Sequence, residues 1–172
     1  MDYFERVLNP ENWFAQSWQM FEAASVLWES LLEKEPILSE RDTQRQSGSL
    51  KGALLLLGLA AENALKGAYV YKNAPDLSKE RLSAKHFHEK AHDLNDVASR
   101  LGLSLKPDHS VLLERLSTSV QWSSKYKAPL KKSDLDGLIH GVKMGSTDLD
   151  AIENLIEDLQ RQSGYSEENG WP

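Results

Sequence analysis

Glu62 and Lys66 are the residues in this chain whose types and spacing first suggest chemistry. They stand four apart inside the run 52–71, GALLLLGLAAENALKGAYVY, which is otherwise apolar nearly all the way round except for Asn63. A helix apolar on every face belongs in the centre of a fold. A charge placed there must be paired or used, because an unpaired buried charge is costly. Glu on the N-terminal side of Lys at this spacing is the favoured order for a helical ion pair. Two readings stand: a structural pair within a helical core, or two polar walls of a ligand pocket between helices.

Three other constellations invite the same question. His86, His88 and His92 crowd a short stretch that ends in Asp93. It offers three imidazoles but no fourth ligand and no fixed zinc-type spacing, so no metal site is expected; the alternative is a solvated loop with His92 and Asp93 capping the next helix. Arg81 and His86 form an Arg-x4-His pair, in which Arg can hold a phosphate while His moves a proton, as RNA cleavage requires. Finally, the stretch 120–132 holds Trp122, Lys125, Tyr126, Lys127, Pro129, Lys131 and Lys132 without one acidic residue. Bases stack on such rings and lysines meet phosphates. The competing reading is that the rings are core anchors at a helix end and the lysines are solvated.

The elements that must position these groups are helical. Asn9 reads as an N-cap with Pro10 in the first turn. Trp13, Phe14, Trp18, Phe21, Leu27, Trp28, Leu31 and Leu32 then recur at helical spacing, ending before Pro36. Segment 38–48, rich in Ser, Gln, Arg and Asp, reads as a loop. A second helix spans 49–72, stopped by Asn73, Pro75 and Asp76. Segment 77–91 is a long polar loop, of the kind often functional.

Short helix 93–101 carries Leu94, Val97, Ala98 and Leu101 inward, with Gly102 as its C-terminal cap. Helix 107–124 points Leu112, Leu113, Leu116, Val120 and Trp122 inward, and Pro129 sets an extended segment after it. Segment 133–145 is ambiguous, with three glycines among its apolar residues. A final helix, capped by Ser146 or Thr147, shows the stripe Leu149, Ile152, Leu155, Ile156 and Leu159 and ends at Gly164. No strand and no internal repeat is expected. The whole, 1–172, reads as one all-α domain with its core at about 9–164 and a loose acidic tail over 165–172.

Composition narrows the classes. A chain of 172 residues can bury a core without metals or disulfides. It contains no cysteine, which excludes thiol chemistry and disulfide scaffolds and fits a reducing compartment. Net charge −6 argues against general electrostatic binding of nucleic acid, leaving only local basic patches. The N-terminus lacks a secretory leader, and the longest apolar run is too interrupted for a membrane span, so a cytoplasmic protein without a membrane partner is expected.

Several of these pieces, in order, resemble the HEPN superfamily, the helical domains named for higher eukaryotes and prokaryotes nucleotide-binding. They are Gly58-Leu-Ala-Ala-Glu62-Asn-Ala-Leu65-Lys66-Gly67, then His92-Asp93-Leu94 with Ala98, then 113–116, then Trp122-Ser-Ser-Lys125-Tyr126-Lys127-Ala-Pro129. The family-like forms are a small-x-x-x-Glu-x-x-Leu-Lys-Gly helix, a His-Asp-Leu helix start and a Trp-x-Gly-Arg-Tyr-Pro-x-Pro segment. The resemblance covers about 49–130.

The resemblance implies an antiparallel up-and-down bundle of four to five helices, commonly a homodimer. It also implies nucleotide handling, microbial defence or a toxin–antitoxin pair, with a nucleotidyltransferase-type protein as partner. Many members are metal-independent RNases using an Arg-x4–6-His motif near the dimer interface, often with a polar residue after the Arg. Here Leu82 follows Arg81, and Lys125 and Lys127 stand where the family form has Arg and Pro, which removes the bidentate fork.

The expectation is therefore a binding or regulatory domain for nucleotide or RNA phosphate, without a cofactor or robust catalysis. Trp122, Lys125, Tyr126 and Lys127 would meet the ligand, Glu62 and Lys66 would organise the second helix, and His92 would fix the start of the third. The rivals are an endoribonuclease with Arg81 as phosphate clamp and His86 as acid–base group, and an interaction module in which Trp13, Trp18 and Trp28 bind a partner.

Overall fold

Four of the six described α-helices start at a short polar residue, Asp2, Asn9, Ser39 or Asp93. The computed structural model describes residues 2–33, 36–75, 82, 84–87, 92–126 and 143–171. Asp2 and Glu5 exchange backbone hydrogen bonds in a capping box that starts α1, Tyr3–Leu8, a helix the sequence pattern did not announce. Asn9 accepts from the Glu11 N–H at 2.9 Å and opens α2, Pro10–Leu32, with Pro10 in its first turn as expected. Phe14, Ser17, Phe21 and Ala24 form its buried stripe.

Helix α3, Glu40–Asn73, is longer than its apolar stretch. The segment 38–48, expected to be a loop, is helical from Glu40 onward. Ser39 caps it, and the Ser39 hydroxyl also donates to Asp42 at 2.7 Å. A nucleus formed by the apolar part extends into polar residues at the cost of only one residue's order at a time. Polarity alone therefore misled. Ala74 closes the helix in the left-handed region (φ 39°), followed by Pro75.

A 3-10 turn, Ala84–His86, precedes α4, Leu94–Arg100, whose N-cap is Asp93. Gly102 at φ 74° lets the chain turn back, so that the Leu103 N–H reaches the Ala98 carbonyl at 3.1 Å. Helix α5, Pro107–Thr118, passes into a π-helical turn, Ser119–Ser123. The last helix, α6, Ser146–Gln162, is capped by neither Ser146 nor Thr147. Gly145 takes the cap position, and its N–H donates to Asp148 at 2.7 Å. Segment 133–142 lies outside the described residues.

The described residues thus form six α-helices and no named strand, a mainly helical fold. Helix α3 is its axis, packed by α2, α4, α5, the π turn and α6. An 18-residue window of α3 is apolar enough to pass for a membrane span by length and composition, contrary to expectation. However, 67% of that window is buried inside the fold, so packing accounts for its apolarity.

Small residues let the neighbours in. A Cβ on Gly67 would lie 2.9 Å from Trp13 Cβ and 3.1 Å from the Phe14 ring, and one on Gly58 would lie 2.6 Å from Val120. At the resulting spacing the Ser17 hydroxyl donates to the Ala60 carbonyl at 2.7 Å, a buried bridge between α2 and α3. Trp18 ties α2 to α6 through Gln160 at 2.8 Å. The buried Leu94 N–H of α4 donates to Ser117 of α5 at 2.9 Å.

The tail is not loose over 165–171. Ser166 and Gly170 bridge each other, and Trp171 lies against Phe14 (centroids 5.4 Å) and Tyr165 (5.5 Å). The acidic character of Glu167 and Glu168 concealed one aromatic anchor behind them.

If the glycines set the helix spacing, Gly67→Ala lowers stability by about 1–3 kcal/mol through overpacking. Gly48→Ala, where an added Cβ meets nothing within 4 Å, raises it by about 0.5–1 kcal/mol. Urea midpoints measure both, and a gain in each would show that Gly67 does not set the approach of α2.

Candidate functional site

Glu62 sits halfway along the apolar part of α3 and is 2% exposed. Two nitrogen-bearing side chains reach it, one from its own helix and one from a later stretch of sequence. Lys66, one turn further along α3, ion-pairs with Oε1. His92 arrives from the turn before α4, its Nδ1 2.9 Å from Oε2 and 3.1 Å from Oε1. An ionised carboxylate only accepts, so Nδ1 carries the proton and donates.

Local backbone geometry makes the His92 contact possible. His92 is in the left-handed region at φ 61°, uncommon for a residue with a Cβ. Asp93, directly after it, accepts from the Asp96 N–H at 3.1 Å and starts α4. The strained residue thus turns its ring to α3 while the next caps the helix. Strain of this kind persists where surrounding contacts over-determine it.

Phe87 roofs the cluster. Lys66 Nζ lies 5.3 Å from the Phe87 ring centroid, within cation–π range. Phe87 is 3% exposed and meets Trp13 (5.7 Å) and Tyr69 (5.5 Å) edge to face. Rings from α2 and α3 thus hold the Phe87 ring, which in turn covers the Lys66 ammonium. The sequence reading missed Phe87; its signal was a lone large apolar ring in a polar stretch.

Burial works to raise the Glu62 pKa. The His92 hydrogen bond and the Lys66 charge more than offset it and hold the carboxyl at about 2, against 4.5 for an ordinary glutamate. A carboxylate charged at every physiological pH, with its oxygens already engaged, is an anchor rather than a proton carrier. Of the expected ligand-contacting residues, Glu62, Lys66 and His92 are brought together, and the chemistry of their contact is that of a lock.

The other expected residues stand elsewhere. Trp122 is buried, at 8% exposure, within the π turn, which suits a core anchor rather than a stacking platform. Lys125 and Tyr126 follow it at the surface, Tyr126 at 48% exposure, and both backbone N–H groups donate to the Trp122 carbonyl. Lys127 and Arg81 lie outside the described residues. His86 is half-buried on the 3-10 turn, next to Phe87, and Leu82, which follows Arg81, donates its N–H to the Tyr3 hydroxyl at 2.9 Å. No cluster of three metal-ligating side chains occurs among the described residues.

Two of the three α2 tryptophans are spent inside the fold, Trp13 donating to the Val7 carbonyl and Trp18 to Gln160. Trp28 instead faces an open groove. Comparison with protein-family models, curated proteins and solved structures finds no match to this chain.

The lock predicts a definite acid response. Because the folded pKa of Glu62 lies below its unfolded value, the unfolded state takes up the extra proton, and acid favours unfolding. The contribution is complete above about pH 4.5 and fades as pH falls toward 2. Glu62→Gln leaves Lys66 without its counter-charge and lowers stability by about 3 kcal/mol at neutral pH. It also flattens the loss of stability in that acid window. Thermal melts across the window that keep the wild-type slope in the variant would remove Glu62 as its cause.

Proposed function

We propose that this chain is a HEPN-like cytoplasmic domain, an up-and-down bundle acting as a homodimer, with a binding or regulatory role toward nucleotide or RNA phosphate. One observation supports the reading more than any other. Glu62 and Lys66, from one motif of the resemblance, and His92, from another, meet at one buried carboxylate. Motifs separated in sequence then share one physical purpose, the positioning of α4 and the 3-10 turn against α3.

Phosphate contact falls to the exposed end of the α5 region. Lys125 supplies an exposed ammonium and Tyr126 a half-exposed ring, with Lys127 beside them in sequence. Lysines of this kind act as point charges, so affinity is modest, tolerant of base identity and steeply salt-dependent. The setting is microbial defence or a toxin–antitoxin pair, with a nucleotidyltransferase-type partner.

The second reading is a metal-independent endoribonuclease using Arg81 and His86. Its support is the half-buried placement of His86 on the 3-10 turn, next to Phe87.

Both readings meet in one experiment. A labelled short RNA and a labelled nucleotide are titrated with purified protein without metal, and cleavage is followed in parallel. Lys125→Ala with Lys127→Ala weakens binding about tenfold, or ~1.4 kcal/mol, while leaving thermal stability unchanged. Unchanged affinity for both probes discards the phosphate role. Metal-free cleavage abolished by both Arg81→Ala and His86→Ala establishes the enzyme instead.

A further inference from the structure

Trp28 differs from the other tryptophans of α2 in the fate of its indole. Trp13 and Trp18 donate their N–H groups to the Val7 carbonyl and to Gln160, whereas that of Trp28 has no acceptor among the described residues. Half-buried Trp28 stands with Leu31 of α2, Leu50 of α3 and Met144, just before α6, around an open groove of about 520 Å³. That volume falls within the ~300–1,000 Å³ of ordinary ligand sites. Leu32, 59% exposed and one turn beyond Trp28 on the same face of α2, continues the apolar strip.

The polar part of the lining has one character. Gln46 and Ser47 of α3 and Lys143 complete the wall. With the Trp28 indole they make four side chains able to donate a hydrogen bond, and no carboxylate lines the groove. Glu29, Arg45 and Lys51, the charged sequence neighbours of these residues, do not line it either. An apolar wall beside unspent donors and one ammonium matches an apolar body that carries an anionic acceptor. A partner helix fits these donors poorly, because its backbone carbonyls are already engaged within the helix.

We propose that the groove binds a free single-chain amphiphilic carboxylate of the fatty-acid class. Its tail lies along Trp28, Leu31, Leu50 and Met144, and its carboxylate meets Lys143 and accepts from Gln46, Ser47 or the Trp28 indole. Lys143 acts as a point charge, and Met144 adapts to tails of different shape. Gln46 lies about 24 Å along α3 from Glu62, so this site is separate from the Glu62–Lys66–His92 lock and does not rest on any phosphate role.

Calorimetric titration of the full chain with decanoate, kept below its micelle-forming concentration, tests the assignment. The wild type binds one equivalent, and decanol, which has the same tail without the charge, binds about tenfold more weakly. Full burial of one methylene is worth about fourfold in affinity and half-burial about twofold, so octanoate binds about fourfold more weakly than decanoate. Lys143→Glu, at an exposed position, weakens decanoate about tenfold and leaves decanol unchanged, with helical circular dichroism as in the wild type. Absence of saturable decanoate binding overturns the proposal, as does equal affinity for decanol or an affinity that Lys143→Glu leaves unchanged. Co-sedimentation with phosphatidylglycerol vesicles in place of binding to the free acid also overturns it, since the occupant is then a lipid surface. So does self-association of the chain that Lys143→Glu abolishes and decanoate does not affect.

Discussion

A carboxylate in the middle of the central helix is the constraint around which this fold is arranged. Glu62 is almost entirely removed from water, and a charge in that position is tolerable only with compensating charges and hydrogen bonds close by. Lys66 supplies one from the same helix at no topological cost. His92 supplies the other only if the chain returns to α3 thirty residues later with its backbone in the left-handed region. The start of α4, the path of the 3-10 turn and the seat of Phe87 over the ammonium all follow from satisfying that one group.

The second constraint is steric and acts on the same helix. Gly52, Gly58 and Gly67 sit where a Cβ would meet Leu27, Val120 and Trp13 respectively. Small residues on several faces let α2, the π turn and their neighbours approach the α3 backbone closely enough for a side chain such as Ser17 to reach a main-chain carbonyl. Close packing of this kind has little slack, so the electrostatic lock rests on a rigid frame and its geometry is well defined.

This arrangement separates the molecule into regions of different character. The Glu62 cluster is saturated and inward, suited to holding elements in place. The surface beyond Trp122 offers unburied lysine and tyrosine suited to an anionic ligand. The far end of α2 and α3 exposes aliphatic side chains that nothing among the described residues covers. Function in a saturated helical core of this sort resides at the edges that the core positions.

Much of this was legible in the residues. Helical periodicity, Asn9 with Pro10, and Asp93 after His92 announced the helices and two of their starts, because capping and amphipathic spacing are local properties. The charge pair within an apolar helix announced a polar feature in the core. Other elements depended on context. The polar first turns of α3 are helical because an adjoining apolar helix and a Ser39–Asp42 cap carry them, and the tail is anchored because Phe14 leaves room for Trp171. The composition of α3 suggested a buried helix but could not say what would cover it. That His92 rather than another histidine meets Glu62, and that Phe87 roofs Lys66, were decided only in three dimensions. Spacing along a chain specifies which residues share a helix face, whereas contacts between residues thirty positions apart depend on how every intervening element packs.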